Sequence, residues 1–86
     1  MKIFDYNLPE NNCFTIKHSA KNYVESCIVD NNTLTINYND NVKQIPIEKE
    51  IFIDIYNKFG IFIETLNYVV IDVIDKTNTS ITYRIE

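Results

Sequence analysis

Few residues in this chain have side chains suited to catalysis. His18 is the only histidine, and the two cysteines are Cys13 and Cys27. A single imidazole excludes a zinc site with two histidines. Any Ser-His-Asp triad or Cys-His dyad would have to use His18, which lies near the end of a predicted strand. The cysteines form no C-x-x-C pair, which thioredoxin-like redox chemistry and zinc ribbons require. We therefore predict no catalytic residue and no metal site, and we interpret His18 as a partly exposed strand residue.

The carboxylates of Asp72 and Asp75 suggest the acidic pair of a two-metal nuclease. Side chains three residues apart on a strand point to opposite faces of the sheet, so this pair fails unless a β-bulge intervenes. We interpret both as aspartates at the end of a hairpin, with Asp72 paired to Arg84. Four other acidic residues lie near one another in sequence, as is ordinary for a solvated face: Glu48, Glu50, Asp54 and Glu64.

Composition excludes the common phosphate-binding loops and disfavours nucleic acid as a partner. One glycine, Gly60, cannot build a P-loop, a G-x-G-x-x-G fingerprint or a G-x-S-x-G elbow. Eight basic against twelve acidic residues give a net charge of -4, and Arg84 is the only arginine. The lysines are scattered singly, so no cationic groove accompanies the aromatic residues that would stack on bases. We expect no enzyme activity, no cofactor and no direct nucleic-acid contact.

Length and polarity predict one small domain that spans residues 1–86. With 45% apolar and 23% charged residues, a chain of 86 residues can bury one core without disulfides. The first twelve residues lack the apolar stretch of a secretory signal. The longest apolar run, Tyr68 to Ile71, is far shorter than the roughly 20 residues of a transmembrane helix. We therefore expect a cytoplasmic protein without membrane contact, and the abundance of Ile, Asn and Lys indicates an AT-rich genome.

Residues 13–47 alternate between apolar and polar types in short segments, which is typical of an antiparallel meander of three to four strands. A two-residue turn at Asn31-Asn32 predicts two cross-strand pairs, Val29 with Leu34 and Cys27 with Ile36. A turn at Asp40-Asn41 predicts two more, Ile36 with Ile45 and Leu34 with Ile47. Both turns place the apolar side chains on one face, which a slip of one residue would reverse.

Two further strands are expected near the N-terminus, one in MKIFDY that ends at Pro9 and one in CFTIKH. The register of the second strand is open. One pairing sets Phe14 against Cys27, while a slip of one residue sets Cys13 against Cys27. Only the second brings the sulfur atoms close enough to bridge, and reduced thiols are the simpler interpretation.

The hydrophobic period changes after Pro46, which cannot continue a central strand and favours a first helical turn. Apolar side chains then recur every four residues, at Ile47, Ile51, Ile55 and Phe59. The spacing predicts an amphipathic helix from Glu48 to Phe59, packed on the sheet, with Gly60 as its left-handed C-cap. The predicted fold class is therefore α+β.

The last third of the chain predicts a C-terminal β-hairpin around the turn-like segment KTNTS. Pairing Asp72 with Arg84 also sets Ile71 against Ile85 and Val73 against Tyr83. The stretch from Ile61 to Tyr68 has three alternative interpretations: a separate strand, the first half of a long strand, or a short second helix.

On the predicted helix, Ile53 projects about 130° from the centre of the apolar arc and lies among polar residues. An exposed isoleucine rimmed by charge can mark a partner site. The candidate partner-binding residues are therefore Glu50, Ile53, Asp54 and Asn57. The edges of an open sheet would also permit homodimer formation or capture of a partner strand.

The sequence carries no family motif. In size, acidity and composition it is similar to small proteins of phages and mobile elements, a class that includes anti-CRISPR and other anti-defence proteins. We therefore expect a stoichiometric inhibitor or accessory protein whose acidic surface engages a basic, nucleic-acid-handling protein. The alternatives are a homo-oligomeric structural component, a toxin-neutralising immunity protein, and a metal-dependent hydrolase that uses Asp54, Glu64 or Asp72.

Overall fold

Seven antiparallel strands form one sheet in the computed structural model, which describes residues 1–7, 13–17, 20–45 and 47–86. The strands are β1 (Lys2–Asp5), β2 (Cys13–Lys17), β3 (Val24–Asp30), β4 (Thr33–Tyr38), β5 (Glu50–Tyr56), β6 (Phe62–Lys76) and β7 (Ser80–Ile85). Their order is β1-β3-β4-β7-β6-β5-β2, and the sheet curls into a nearly closed, barrel-like shape. A short 3-10 helix, Lys21–Tyr23, precedes β3.

The predicted helix is wrong, because Glu50–Tyr56 forms strand β5 and the described residues contain no α-helix. A spacing of four residues is also two full periods of a strand, so Ile51 and Ile55 share a face in either conformation. The segment EIFIDIY is rich in β-branched and aromatic side chains, which favour a strand. Pro46, which precedes the predicted helix, lies outside the described residues. The α+β class is therefore corrected to a fold that is nearly all sheet.

Gly60 adopts the left-handed conformation predicted for it, with φ of 78°, but it does so in the loop between β5 and β6. Asn57 and Ile61 close this loop, with the Asn57 amide 2.9 Å from the Ile61 carbonyl oxygen. The side-chain oxygen of Asn57 accepts hydrogen bonds from the amides of Phe59 and Ile61, at 2.9 and 3.0 Å. The left-handed conformation of Gly60 was predicted correctly, but it belongs to a hairpin loop and not to the end of a helix.

The β3–β4 hairpin confirms the turn at Asn31-Asn32, with Val29 opposite Leu34 and Cys27 opposite Ile36. The other predicted pairing of β4 is wrong, since β4 lies beside β7, where Ile36 faces Ile81 and Leu34 faces Tyr83. Of the two residues predicted to face β4, Ile45 is buried but Ile47 is 69% exposed, and the segment from Val42 to Ile45 forms no strand. The Val42 amide instead donates to the Asn78 carbonyl oxygen at 2.8 Å, which ties this segment to the β6–β7 turn.

The two N-terminal strands exist as predicted, but β2 has an unexpected neighbour. β1 pairs with β3, with Phe4 opposite Cys27. β2 pairs with β5 and sets Phe14 against Ile55, so both registers proposed for β2 against β3 are wrong. Cys13 is consequently exposed, Cys27 is buried, and both thiols are free. Pro9 and His18 lie outside the described residues.

β6 is 15 residues long and joins the two halves of the sheet. Its first half pairs with β5, and its second half pairs with β7. Phe62–Tyr68 is therefore the first half of a long strand, one of the three alternatives. The predicted pairs of Asp72 with Arg84 and of Val73 with Tyr83 are confirmed, whereas Ile85 faces Val70 because a bulge follows Val70.

The core lies inside the curled sheet, and its fully buried side chains are Tyr83, Phe14, Leu34, Ile36, Ile51, Ile53, Ile81 and Cys27. β6 differs from the other strands, because its inward side chains are only partly buried: Leu66, Tyr68, Val70 and Val73. At the open seam of the sheet, the Tyr6 ring stacks on Phe14 with centroids 4.3 Å apart and brings β1 and β2 together. Burial of the inward side chains is therefore lowest along β6.

Candidate interaction surface

The structure separates the four residues predicted to bind a partner. Ile53 is fully buried, so its predicted exposure is wrong, because strand alternation turns it inward beside Ile51. Asn57 directs its side-chain oxygen into the β5–β6 loop. Glu50 and Asp54 lie on the outward face of β5. Only these two acidic residues therefore share an outward surface.

The register of β2, β5 and β6 aligns their outward side chains in rows. Thr15, Asp54 and Thr65 form one row, and the Thr65 hydroxyl donates to Asp54 Oδ1 at 2.6 Å. In the next row the Lys17 ammonium lies 5.7 Å from the centroid of the Phe52 ring. The Asp54 carboxylate is thus already engaged by its cross-strand neighbour.

The β5–β6 hairpin ends in a group of exposed apolar side chains that we call the hairpin tip: Phe59, Ile61, Phe62 and Ile63. Their exposed fractions are 76%, 62%, 54% and 48%. The Phe62 ring packs edge-on against Tyr56 with centroids 5.8 Å apart, and the Lys58 ammonium lies 5.2 Å from the centroid of the Phe59 ring. The tip is therefore a structured apolar projection rather than a row of isolated side chains.

Exposed apolar side chains continue along the outward side of β6. Of the twelve large apolar side chains that are exposed among the described residues, seven lie between positions 59 and 74, the last three being Val69, Ile71 and Ile74. Sequence reasoning missed the tip because Phe59 was assigned to the apolar arc of a helix. The available indication was the segment FGIFI, whose four large apolar residues exceed what strand alternation can turn inward.

Acidic side chains accompany this apolar surface. Residues 50–76 contain five acidic and two basic residues, which leaves them with -3 of the net charge of -4. The predicted ion pair between Arg84 and Asp72 is present at 3.9 Å, with both side chains about half exposed. Exposed pairs of this kind contribute little to stability. The surface around β6 is therefore both apolar and negatively charged.

Among the described residues, the side chains that could act in catalysis or bind a metal ion do not form a cluster. Bulges lie between Val70 and Asp72 and between Val73 and Asp75, but Asp72 faces Arg84. No group of three His, Cys, Asp or Glu side chains in the described ranges could hold a metal ion. Burial raises the pKa of the Cys27 thiol to about 12, so the thiol stays protonated at neutral pH. This arrangement offers no activated nucleophile in the described core.

An open cleft of about 650 Å³ lies beside β2, and its lining residues are Tyr6, Thr15, Ile16, Lys17, Lys21, Asn22 and Asp54. The two lysines and Asp54 give it mixed charge. Three of its seven lining residues are charged, whereas ligand sites are lined mainly by apolar and aromatic side chains. The apolar surface of β6 is the more distinctive feature of the molecule.

Comparison with known proteins gives no further assignment. No family model matches the sequence, and neither a curated protein nor a solved structure is significantly similar to it. In the part of the chain that the structure describes, no helix has the length and apolarity to cross a membrane. Function must therefore be argued from the surface itself.

Proposed function

We propose that this protein is a stoichiometric protein-binding module, an inhibitor or accessory protein that contacts its partner through the hairpin tip. The observation that carries this proposal is the concentration of exposed large apolar side chains between residues 59 and 74. Scattered exposed apolar residues are ordinary, but apolar surface gathered in one region and rimmed by charge is typical of an interaction site.

Phe59 and Phe62 are the expected anchors of the interface. Aromatic side chains in the centre of an interface often dominate its binding energy. At exposed fractions of 76% and 54%, the two rings offer roughly 200–330 Å² of surface for burial. That is a substantial part of the ~800 Å² that each partner buries in a standard complex.

The loop is ordered in a way that supports binding. The two hydrogen bonds accepted by the Asn57 side chain and the left-handed Gly60 define the path of the chain around Phe59. A loop that is held in one conformation loses less conformational entropy when it binds. The tip is thus suited to act as a preformed contact.

Charge favours a basic partner. Glu50 and Asp54 lie on the outward face of β5, and residues 50–76 hold most of the net negative charge. A partner with an apolar pocket rimmed by lysine or arginine would be attracted to this surface and aligned on it. Proteins that handle nucleic acids carry such rims, so we place the partner in that class.

The test is to capture and then reconstitute the complex. The tagged chain is expressed in a bacterium with an AT-rich genome, the captured protein is identified by mass spectrometry, and its affinity is measured by calorimetry with purified components. Phe59→Ser should weaken binding by roughly 30-fold or more, as for an interface hot spot. Ile47→Ser is the matched control, because Ile47 is 69% exposed but lies outside the tip.

Equal binding by both variants would contradict the proposal. The electrostatic component is tested separately by raising the salt concentration and by reversing charge with Glu50→Lys. A second outcome is binding that depends on the tip and yet is insensitive to salt and to Glu50→Lys. That result would contradict a basic partner but would support the hairpin tip as the contact surface.

A further inference from the structure

The first half of β6 has a strand neighbour on one side only. The Val70 amide donates to the Lys49 carbonyl oxygen on the β5 side at 2.9 Å, and the Val69 carbonyl oxygen accepts from the Glu86 amide on the β7 side at 3.0 Å. Backbone groups alternate in direction along a strand. The N–H and C=O groups of Thr65 and Asn67 therefore point away from β5, where no described strand pairs with them.

Residues 65–69 of this free edge lack the features by which sheet edges are normally protected. Charged side chains, prolines and bulges on an edge prevent the addition of another strand. The second half of β6 has such features, with Asp72, Asp75, Lys76 and two bulges. In the first half, Glu64 and the register shift opposite Ile55 and Tyr56 both precede Thr65, and the stretch 65–69 has no charged residue, no glycine, no proline and no register shift. Protection is thus present towards both ends of β6 and absent from its middle.

We propose that the free edge of β6 pairs antiparallel with the same edge of a second copy, with Thr65 of each copy on the two-fold axis. This interaction goes beyond the proposed function, because it joins backbone groups of β6 in the plane of the sheet, although β6 also contributes Phe62 and Ile63 to the hairpin tip. A two-fold axis is the commonest symmetry of homo-oligomers, and it joins one surface to itself. The dimer would carry two hairpin tips.

The register is compatible with self-association. With Thr65 opposite itself, Glu64 lies opposite Leu66, so no charged residue directly faces a like charge. Two copies that each carry a net charge of -4 can approach most readily along an uncharged edge. Val69 is exposed in the single chain and lies on the same edge, so an added strand would cover part of it. The uncharged edge and the exposed Val69 therefore favour a second copy as the occupant.

The first test is the mass of the purified chain at high micromolar concentration, measured by light scattering and sedimentation. We expect twice the 10.1 kDa of one chain. Thr65→Pro removes the edge N–H without touching the bonds to β5 and should give a monomer. Thr65→Val loses the same hydroxyl bond to Asp54 but keeps the N–H, and it should remain a dimer. A monomeric wild type, or a dimeric Thr65→Pro variant, would overturn the proposal.

The second test does not depend on how well the proline variant folds. Thr65→Lys and Thr65→Glu each place two like charges across the axis, so each variant alone should be monomeric at low salt. A mixture of the two should form a heterodimer, because the opposite charges then face each other. A mixture that stays monomeric beside a dimeric wild type would refute the proposed axis. Both tests use the chain alone, so their failure is distinct from a failure to bind a partner.

Discussion

The hydroxyl of Tyr6 donates a hydrogen bond of 2.7 Å to the carbonyl oxygen of Phe14. The residues belong to opposite ends of the strand order, since Tyr6 directly follows β1 and Phe14 lies in β2. Partial burial raises the pKa of Tyr6, and the nearby Cys13 thiol raises it further, so the hydroxyl remains a donor at neutral pH. This contact joins the two edges of the sheet where no ladder of backbone bonds connects them.

Tyr6→Phe should therefore destabilise the protein while leaving the ring stack in place. The loss of one hydrogen bond is expected to lower the free energy of unfolding by about 0.5–1.5 kcal/mol. Urea denaturation followed by circular dichroism measures the change. Tyr23→Phe is the control, since Tyr23 is exposed and its hydroxyl has no hydrogen-bond partner among the described residues. Equal stabilities for the two variants would show that the Tyr6 hydroxyl does not hold the seam.

Ile53→Ala should cost about 2–5 kcal/mol of unfolding free energy, because it leaves a cavity beside Ile51 in the core. Ile71→Ala, at an exposed position on β6, should change stability by no more than about 0.5 kcal/mol. Thermal and urea unfolding of both variants provide the comparison. A helix over these residues would give the opposite expectation for Ile53, so a harmless Ile53→Ala substitution would contradict strand β5.

Gly60→Ala should destabilise the β5–β6 loop by about 1–2 kcal/mol, since φ is 78° and an L side chain disfavours this region. A Cβ atom at position 60 would meet no atom within 4 Å beyond the two neighbouring residues, so the cost comes from the local backbone conformation and not from packing. Gly60→Asn should cost less, because asparagine tolerates the left-handed conformation. Urea denaturation should rank the wild type above the asparagine variant and the asparagine variant above the alanine variant, and equal losses would refute this explanation.

Alkaline pH should destabilise the protein, because it ionises the buried thiol of Cys27 and the buried phenol of Tyr83. Folding raises the pKa of Cys27 from 9.0 to about 12, and that of Tyr83 from 10.0 to about 12, chiefly by burial. Both groups are neutral when protonated, so the native state holds their protons more tightly than the unfolded state. Their contribution to stability is complete below pH 9 and is lost progressively between pH 9 and about 12. Stability measured by urea denaturation should fall steadily across this window, and a constant value would contradict the buried assignments.

The reactivity of the thiols provides an independent test of the same assignment. A thiol reagent at pH 8 should modify exposed Cys13 rapidly and buried Cys27 only after denaturation. The native protein should therefore give one fast equivalent and the unfolded protein two. Two fast equivalents from the native protein would mean that Cys27 is accessible.

Local turn chemistry made part of the fold predictable. The Asn31-Asn32 turn fixes its hairpin within twelve residues of sequence, and Asp72 with Arg84 follows from alternation around the KTNTS segment. The spacing of four residues between Ile51 and Ile55 did not distinguish a helix from a strand, because it fits both periods. Ile53 was the discriminating residue, since a helix leaves it outside the apolar arc and a strand places it in the core.

Partners that lie far apart in sequence could not be predicted in this way. Alternation in CFTIKH establishes that β2 is a strand, but it does not indicate that β5, about 40 residues later, lies beside it. The candidate surface shows the same limit. Glu50 and Asp54 lie outward as expected, whereas the exposure of Phe59 and Phe62 depends on where the hairpin projects from the assembled sheet.

The strand order also determines how the chain can fold. The hairpins β3–β4, β5–β6 and β6–β7 join neighbouring segments, and such hairpins form within about 1–10 μs. The pairing of β2 with β5 requires closure of a much longer loop, and sheets rich in such contacts fold in roughly milliseconds to seconds. We therefore expect the docking of β2 on β5 to limit the rate of refolding. The three hairpins should form before this step, and the Tyr6 contact should form last.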